Sequence, residues 1–415
     1  MHAAAEPMEK QGAALKQYAI VFFASLAILG AGIAANPSFT FDEFSYIGAA
    51  RNFIAGTPSM NPEHPPLAKY LMALSITLLG DRALGWRLPS AIAGAMVAVS
   101  AFGLTLRLSR SLHTAHIAWC LIVVNGFWYV MSRMAMLSIF ELAFEVAAVW
   151  VFVLAAERSS ARWFVCSGAL FGLSIASRWC GVVGLAVCAA YALVYYRPAV
   201  KNLALMTGSA IAVYVGSWIP LLLREHRSAQ YLIAANIYIL QFHRHATTDP
   251  RPGEPWWTWI VTLDLQQAPM ELIANPVIEI LGLAAIIVLL WRRKPLLPAL
   301  YIAHEMQWAV VPHWSHYYYY LEAFTFLTVA LAVAMQDVVV RRVRLDVVVT
   351  ACAVGAVVWP FWMAMMKHLH AAAPSRNLLG NLLINNKLST PCPSRPLSGT
   401  IDRDRGKDKD GRPCL

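Results

Sequence analysis

The chain has 415 residues, of which 59% are hydrophobic and 13% are charged, and its mean hydropathy is positive. A water-soluble domain of this length rarely has such a composition, so most of the chain is predicted to lie in lipid. The formal net charge of +10 does not indicate nucleic-acid binding, because the basic residues form small clusters between apolar stretches. The seven cysteines show no metal-ligand spacing.

Apolar stretches of about 20 residues, long enough to cross a membrane as helices, recur along the chain. We therefore predict an all-α integral membrane protein, a polytopic bundle of about eleven transmembrane helices. The predicted spans are residues 17–35, 87–107, 113–131, 136–156, 163–179, 180–196, 202–222, 275–291, 297–312, 317–336 and 346–366. The apolar stretch 67–80 is too short to span and is predicted to form an interfacial or re-entrant helix.

Longer polar segments, residues 36–86 and 223–274, follow the first and seventh spans. Both are predicted to lie outside the cell and to hold the residues that carry chemistry. Residues 1–372 are interpreted as one membrane domain. Residues 373–415 are polar and rich in Pro, Asn, Arg and Asp, which predicts a disordered tail.

Two adjacent carboxylates, Asp42 and Glu43, follow the first span in the run FDEFSYIGAARNFIAG. One interpretation is a solvated helix start, because acidic residues are favoured near a helix N-terminus. The other is a general base that accepts a proton from an attacking hydroxyl group.

Glu63 and His64 precede two prolines in the run NPEHPPLAKYL. Prolines restrict the backbone, so these two side chains are predicted to be held in fixed positions. Lys69 follows one turn later, where it could bind a phosphate or extend to the lipid headgroups.

Several further side chains could bind an anion or a metal. Arg87, Arg133 and Arg178 lie within or at the ends of spans and are predicted to gather positive charge for an anionic lipid headgroup. The other ionisable residues at membrane depth are predicted to face a cavity or one another; they are Glu141, Glu145, His304 and Glu305. In the second polar segment, Arg244 is a candidate phosphate ligand, and His243 could bind a divalent cation together with Glu63.

A series of motifs between about residue 35 and residue 331 resembles the protein O-mannosyltransferase family and its relatives that use polyprenyl-phosphate sugars, including the aminoarabinose transferases of lipid A. The motifs, in chain order, are FDEFSYIGAARNFIAG, EHPPLAKYL, WRLPSAIAG, SRMAMLSIFELAF, GLSIASRWCGV, FHRHATTDPRPGEPWWTW, IANPVIE and HYYYYLEAFTFL.

The resemblance implies a GT-C membrane fold and a site at the non-cytoplasmic face of a bacterial cell membrane. It implies transfer of a sugar from a polyprenyl-phosphate carrier to a hydroxyl group of a protein, lipid or glycan, with a divalent cation as a possible cofactor. By motif, Asp42 matches the acidic residue that acts as the base or holds the acceptor, with Glu43 beside it. Glu63 and His64 match the position before two prolines that helps bind the donor phosphate or a metal. Arg87 matches the arginine of the RLPSA stretch, and His243 matches the histidine of the second polar segment.

The chain departs from the family pattern at two positions. Ser138 stands where an Asp is common, and Arg178 stands where a Lys is common. A transporter or lipid-linked-sugar flippase is the alternative function, because polytopic proteins with intramembrane charges often move a solute. It would predict internal repeats and broken spans, and neither is evident in the sequence.

Overall fold

The computed structural model describes residues 8–196, 200–245, 256–261, 274–310 and 316–339. Within these ranges the chain is helical and has no strand. The predicted span 346–366 and the predicted tail 373–415 lie outside the described residues.

Fifteen α-helices occur in the described residues. The first eight are α1 (Met8–Gly30), α2 (Glu43–Ala55), α3 (Leu67–Leu79), α4 (Ala83–Ser109), α5 (Leu112–Val123), α6 (Gly126–Met131), α7 (Leu137–Arg158) and α8 (Ala161–Ser177). The remaining seven are α9 (Gly181–Tyr191), α10 (Val200–Gly216), α11 (Ile219–Arg224), α12 (Gln230–His245), α13 (Pro276–Trp291), α14 (Leu296–Met306) and α15 (Leu321–Val339).

Four helical stretches in the described ranges are long and apolar enough to cross a membrane. They are Ala83–Ser109, Leu137–Arg158, Val200–Arg224 and Tyr317–Gln336. These stretches confirm the prediction of a multi-pass helical membrane protein, and the number of spans stays a prediction.

The core lies where α4 and α7 pack together, with α1 and α5 against α4 and α8 against α7. Helices α13 and α14 pack on α15, and α15 also packs on α5. This arrangement brings the first polar segment close to the start of α15, although more than 270 residues separate Asp42 from Tyr318.

The predicted span 113–131 differs from the structure in a way that bears on the site. Residues 113–131 form two helices, because Asn125 caps α6 by accepting a hydrogen bond from the Phe127 backbone N–H at 3.1 Å. The loop that follows α6 carries the backbone N–H of Ala135 to Glu43. The hydropathy pattern did not indicate this break between α5 and α6. The loop that follows α6 helps to hold the first polar segment in place through its hydrogen bond to Glu43.

Residues 230–245 of the second polar segment form helix α12, an element that was not predicted from the sequence. Several of its large apolar side chains are exposed, among them Ile233, Ile237 and Phe242. An exposed apolar face of this kind is typical of a helix that lies on a membrane surface.

Candidate active site

Glu43 and Arg87 form a fully buried ion pair. The Arg87 Nε and Nη2 atoms donate to the two Glu43 carboxylate oxygens at 2.8 and 2.7 Å. Glu43 also accepts hydrogen bonds from the Ala135 N–H and from the N–H and hydroxyl of Thr40. The other Arg87 donors reach the carbonyl oxygens of Asn36 and Ser38, each at 2.7 Å. This pair therefore ties the first polar segment to α4 and to the loop before α7.

Asp42, the neighbour of Glu43, is half-buried and lies at the N-terminus of α2. Its Oδ2 atom accepts a hydrogen bond from the Tyr318 hydroxyl at 2.9 Å. The preceding residue, Phe41, has a φ of +50°, a left-handed conformation that is rare for a bulky side chain. The two adjacent carboxylates thus point to different surroundings, one inside the ion pair and one towards the start of α15.

Glu63, His64 and His243 lie together. The His64 and His243 rings are 5.3 Å apart, and His243 Nε2 is 3.2 Å from the Glu63 carbonyl oxygen. The Glu63 carboxylate accepts a hydrogen bond from the Asn61 side chain at 2.5 Å. Burial, together with the nearby charge of Asp42, raises the pKa of Glu63 above its usual value, although Asn61 and Lys69 oppose this.

The buried ammonium group of Lys69 binds the loop that precedes it. It donates to the Asn61 carbonyl oxygen at 2.5 Å, to the Asn61 side-chain oxygen at 3.3 Å and to the His64 carbonyl oxygen at 2.8 Å. Since an ammonium group has three donors, these contacts occupy them. Burial lowers the pKa of Lys69 to about 7, although the charges of Glu63 and Glu225 oppose the shift. Its predicted binding to phosphate stays a prediction.

Arg178 forms the second buried ion pair, in which its Nη1 atom lies 2.9 Å from the Glu322 carboxylate. Nη1 also donates to the Ser138 hydroxyl at 3.1 Å. The guanidinium group lies over the Tyr319 ring at 4.4 Å and the Trp308 ring at 5.4 Å. Within the described residues, Nε and Nη2 of Arg178 donate to no protein acceptor.

Asp42, Glu63 and Arg178 each interact electrostatically with one tyrosine, Tyr46 of α2. The pKa of Tyr46 lies well above its usual value, because the side chain is buried and because Asp42, Tyr319 and Glu63 disfavour its ionised form. Arg178 acts on Tyr46 in the opposite direction. The sequence-predicted residues Asp42, Glu63 and Arg178 are therefore close enough to interact electrostatically at one site.

Two predicted ligands have other contacts. Arg133 donates to the carbonyl oxygens of Leu29 and Ala31 at the end of α1, and its guanidinium group lies over the Tyr129 ring. Arg244 is exposed near the end of α12. Their predicted roles in phosphate binding stay predictions.

Comparison with known proteins identifies the relationship. A family model described as dolichyl-phosphate-mannose-protein mannosyltransferase matches residues 63–220. The polyprenol-phosphate-mannose–protein mannosyltransferase of Mycolicibacterium smegmatis is 23% identical, over 67% of this chain and 71% of that protein. Its counterpart in Corynebacterium glutamicum is 26% identical, over 54% of this chain and 58% of that protein. The chain is related to the protein mannosyltransferases.

The crystal structure of ArnT from Cupriavidus metallidurans bound to undecaprenyl phosphate has a similar fold. Its TM-score is 0.59 at 17% identity, over 88% of this chain and 74% of that chain. The predicted GT-C-type helical fold is thereby confirmed. The predicted family resemblance and the predicted enzyme class, a glycosyltransferase, are confirmed by the mannosyltransferase relatives.

Six of the predicted donor-site residues lie within the part matched by the mannosyltransferase model. They are Glu63, His64, Lys69, Arg87, Arg133 and Arg178. Asp42 and Glu43 precede it, so their assignment depends on the motif and on the geometry described above.

The predicted metal site would use His243 and Glu63, which lie close together. Among the described residues, no three His, Cys, Asp or Glu side chains form a group that could hold a metal ion. His243 contacts a backbone carbonyl of Glu63 and the ring of His64. Binding of a divalent cation stays a prediction, and the mechanism proposed below uses side chains alone.

Residues Tyr317–Tyr320 form a 3₁₀ turn whose side chains were not predicted to take part in the site. The Tyr317 hydroxyl accepts from the Ala274 N–H at 2.8 Å, and the Tyr320 hydroxyl donates to Glu279 at 3.2 Å. Tyr318 bonds Asp42, and Tyr319 lies beneath Arg178. The available sequence signal was the run of four tyrosines, which is followed two residues later by a charged residue, Glu322, within an apolar span.

Two of the four ionisable residues predicted at membrane depth, His304 and Glu145, face each other. His304 Nε2 lies 2.7 Å from the Glu145 carboxylate, and both side chains are fully buried. The Glu141 carboxylate lies 3.4 Å from the Ser174 hydroxyl. In the described structure, neither carboxylate oxygen of Glu305 has a hydrogen-bond partner.

Proposed function

We propose that this protein transfers a sugar from a polyprenyl-phosphate carrier to an acceptor hydroxyl group at the non-cytoplasmic face of the plasma membrane. Mannose is the first sugar to test, because the relatives are polyprenol-phosphate-mannose–protein mannosyltransferases. The observation that carries the proposal is the position of Asp42. Its half-buried carboxylate is oriented by Tyr318, beside the turn whose next residue supports Arg178.

Asp42 acts as the general base. It accepts the proton of the acceptor hydroxyl while that oxygen bonds to the anomeric carbon of the sugar. The bond from the anomeric carbon to the phosphate oxygen breaks, and its electron pair leaves with the lipid phosphate. Attack from the face opposite the leaving group inverts the configuration of the anomeric carbon.

Arg178 binds the phosphate of the donor. Its hydrogen bonds to described residues use Nη1, so the edge formed by Nε and Nη2 is available within the described structure. Such an edge can form two parallel hydrogen bonds to phosphate oxygens. Its fixed positive charge also stabilises the negative charge that develops on the departing phosphate.

The remaining predicted ligands divide into two groups. Glu63, His64 and His243 line the approach to the base, where Arg244 adds positive charge at the surface. Glu43, Arg87 and Lys69 hold the first polar segment in place through their buried contacts. We propose that this second group acts on transfer by shaping the site.

The membrane arrangement follows from the function. We propose about eleven spans within residues 1–372, with segments 36–86 and 223–274 on the outer side. Helices α3 and α12 then lie at the membrane interface, next to the donor headgroup. Residues 373–415 form a polar tail without a part in the chemistry.

A transfer assay tests the proposal. Purified protein in liposomes would be given radiolabelled polyprenyl-phosphate mannose, or other lipid-linked sugars, with peptide, lipid and glycan acceptors. We expect Asp42→Asn to reduce transfer about 100- to 10,000-fold, because the base is lost while the shape is kept.

Asp81→Asn is the matched control. Asp81 lies in the same polar segment, but its exposed carboxylate pairs with Arg51 at 2.8 Å. We expect this variant to retain transfer. Equal turnover by wild type and Asp42→Asn would remove the proposed base. Movement of the lipid-linked sugar across the bilayer without any transfer would favour a flippase.

A further inference from the structure

The Arg178 guanidinium is held from three directions. Its Nη1 atom donates to the Glu322 carboxylate at 2.9 Å and to the hydroxyl of Ser138, a residue of α7, at 3.1 Å. The Tyr319 ring lies against one face of the group. Together these contacts define both the plane of the guanidinium and the direction of its remaining edge.

Two of the three contacts come from one turn of the chain. Tyr319 and Glu322 are three residues apart, at the junction between the tyrosine turn and α15. Glu322 is completely buried, and it is the partner that carries a charge opposite to that of Arg178. A charge-assisted hydrogen bond is about twice as strong as a neutral one. Glu322 is therefore the strongest single restraint on the orientation of Arg178.

We propose that Glu322 is a positioning residue that fixes Arg178 on the Tyr319 ring, so that the remaining edge of Arg178 faces the phosphate of the lipid-linked donor. This inference rests on the proposed function and assigns a role to a residue outside the sequence-predicted site. Glu322 does not touch the donor itself; it acts through Arg178.

Glu322→Gln tests the role with little change in shape. The amide keeps a hydrogen-bond acceptor for Nη1 but removes the charge, so the guanidinium is held less firmly. Arg178 binds the donor phosphate both before and during the reaction, and loss of such binding raises KM more than it lowers kcat. We expect the donor KM to rise about tenfold and kcat to fall by a smaller factor, because Arg178 also stabilises the charge that develops on the departing phosphate.

Glu145→Gln is the matched control. Glu145 is an equally buried carboxylate in α7, but its partner is His304. The same change from carboxylate to amide should therefore leave the donor KM unchanged. Thermal unfolding of both variants would show whether either change acts through stability.

Two double variants distinguish a positioning role of Glu322 from a purely structural one. Ser138→Asp in the Glu322→Gln background returns a carboxylate to the same Arg178 nitrogen, so it should restore most of the donor KM. Glu322→Gln should have no further effect on KM in an Arg178→Gln background, since residues that act through one another are not additive. Full additivity, or an unchanged KM in Glu322→Gln, would overturn the inference.

Binding measurements distinguish failure of the inference from failure of the proposed function. The affinity for polyprenyl phosphate can be measured by titration without any transfer. Transfer by wild type with equal affinities of wild type and Glu322→Gln would overturn the role of Glu322 alone. Absence of transfer with a tenfold loss of affinity in Glu322→Gln would support that role and reject the proposed reaction.

Discussion

The protein contains two buried Arg–Glu pairs that use their donors differently. Arg87 makes four hydrogen bonds, two to Glu43 and two to backbone carbonyl oxygens. Arg178 places a single nitrogen between Glu322 and Ser138, and its other edge bonds no acceptor in the described residues. Protein groups occupy four of the five N–H donors of Arg87 but only two of those of Arg178, so the second arginine can still bind a ligand through a free edge.

This difference shows why burial and ion pairing alone do not identify a binding residue. Both pairs lie near Asp42, and both arginines were predicted from the sequence to meet an anionic headgroup. An arginine with one free donor can form two hydrogen bonds to a phosphate only after it gives up a protein hydrogen bond, and this loss leaves a buried partner unsatisfied. The number of unused donors is therefore the better criterion for a phosphate ligand.

The largest expected effect concerns the Glu43–Arg87 ion pair. Glu43→Ala leaves the buried Arg87 charge without its partner and should lower the free energy of unfolding by about 3–5 kcal/mol. Chemical unfolding in detergent measures this change. Glu157→Ala is the control, because Glu157 forms a partly exposed pair with Arg107 at 3.4 Å and should cost less than about 1 kcal/mol. A stable Glu43→Ala protein that had lost only transfer would instead assign Glu43 to the chemistry.

A smaller effect concerns Lys69, a third buried cation whose donors are all occupied. Its pKa in the folded protein is about 7, below the usual 10.5, so the unfolded chain binds more protons between these values. Stability should therefore rise with pH above 7, by roughly 2 kcal/mol between pH 7 and 9. Lys69→Met should lack this rise, whereas Lys201→Met, at an exposed position, should keep it. An identical pH dependence in all three proteins would refute the assignment.

The smallest effect concerns Tyr318, which lies next to the residues that support the Arg178–Glu322 pair. Tyr318→Phe removes the hydroxyl that orients Asp42 and should lower kcat about tenfold without unfolding the protein. Tyr320→Phe, in the same turn, removes a hydrogen bond to Glu279 and should change kcat much less. Equal loss in the two variants would mean that the turn acts as a structural unit and that Tyr318 has no special part.

Much of the fold was predictable because a helix that crosses the lipid bilayer must be apolar along its length. A span must be apolar over about 20 residues, so α4 and α7 lie close to the predicted spans 87–107 and 136–156. Helix α3 lies where the short apolar stretch was predicted. The break at Asn125 was not predictable from hydropathy, because a capped turn can occur within an apolar stretch.

The site was predictable in its residue types but not in their roles. Asp42 and Glu43 are adjacent, and only the local backbone decides which one faces Arg87. Arg178 and Glu322 are 144 residues apart, so no local pattern relates them. The two positions that depart from the family pattern, Ser138 and Arg178, contact each other, a relation that only the fold reveals.

The tyrosine turn has a consequence for any attempt to change the substrate of this protein. The Tyr318 hydroxyl bonds Asp42, the proposed base, and the neighbouring Tyr319 ring supports Arg178, the proposed ligand of the donor phosphate. A substitution here would alter both specificities together. Evolution towards a new sugar with the old acceptor would be expected to leave this turn unchanged and to vary residues elsewhere around the pocket.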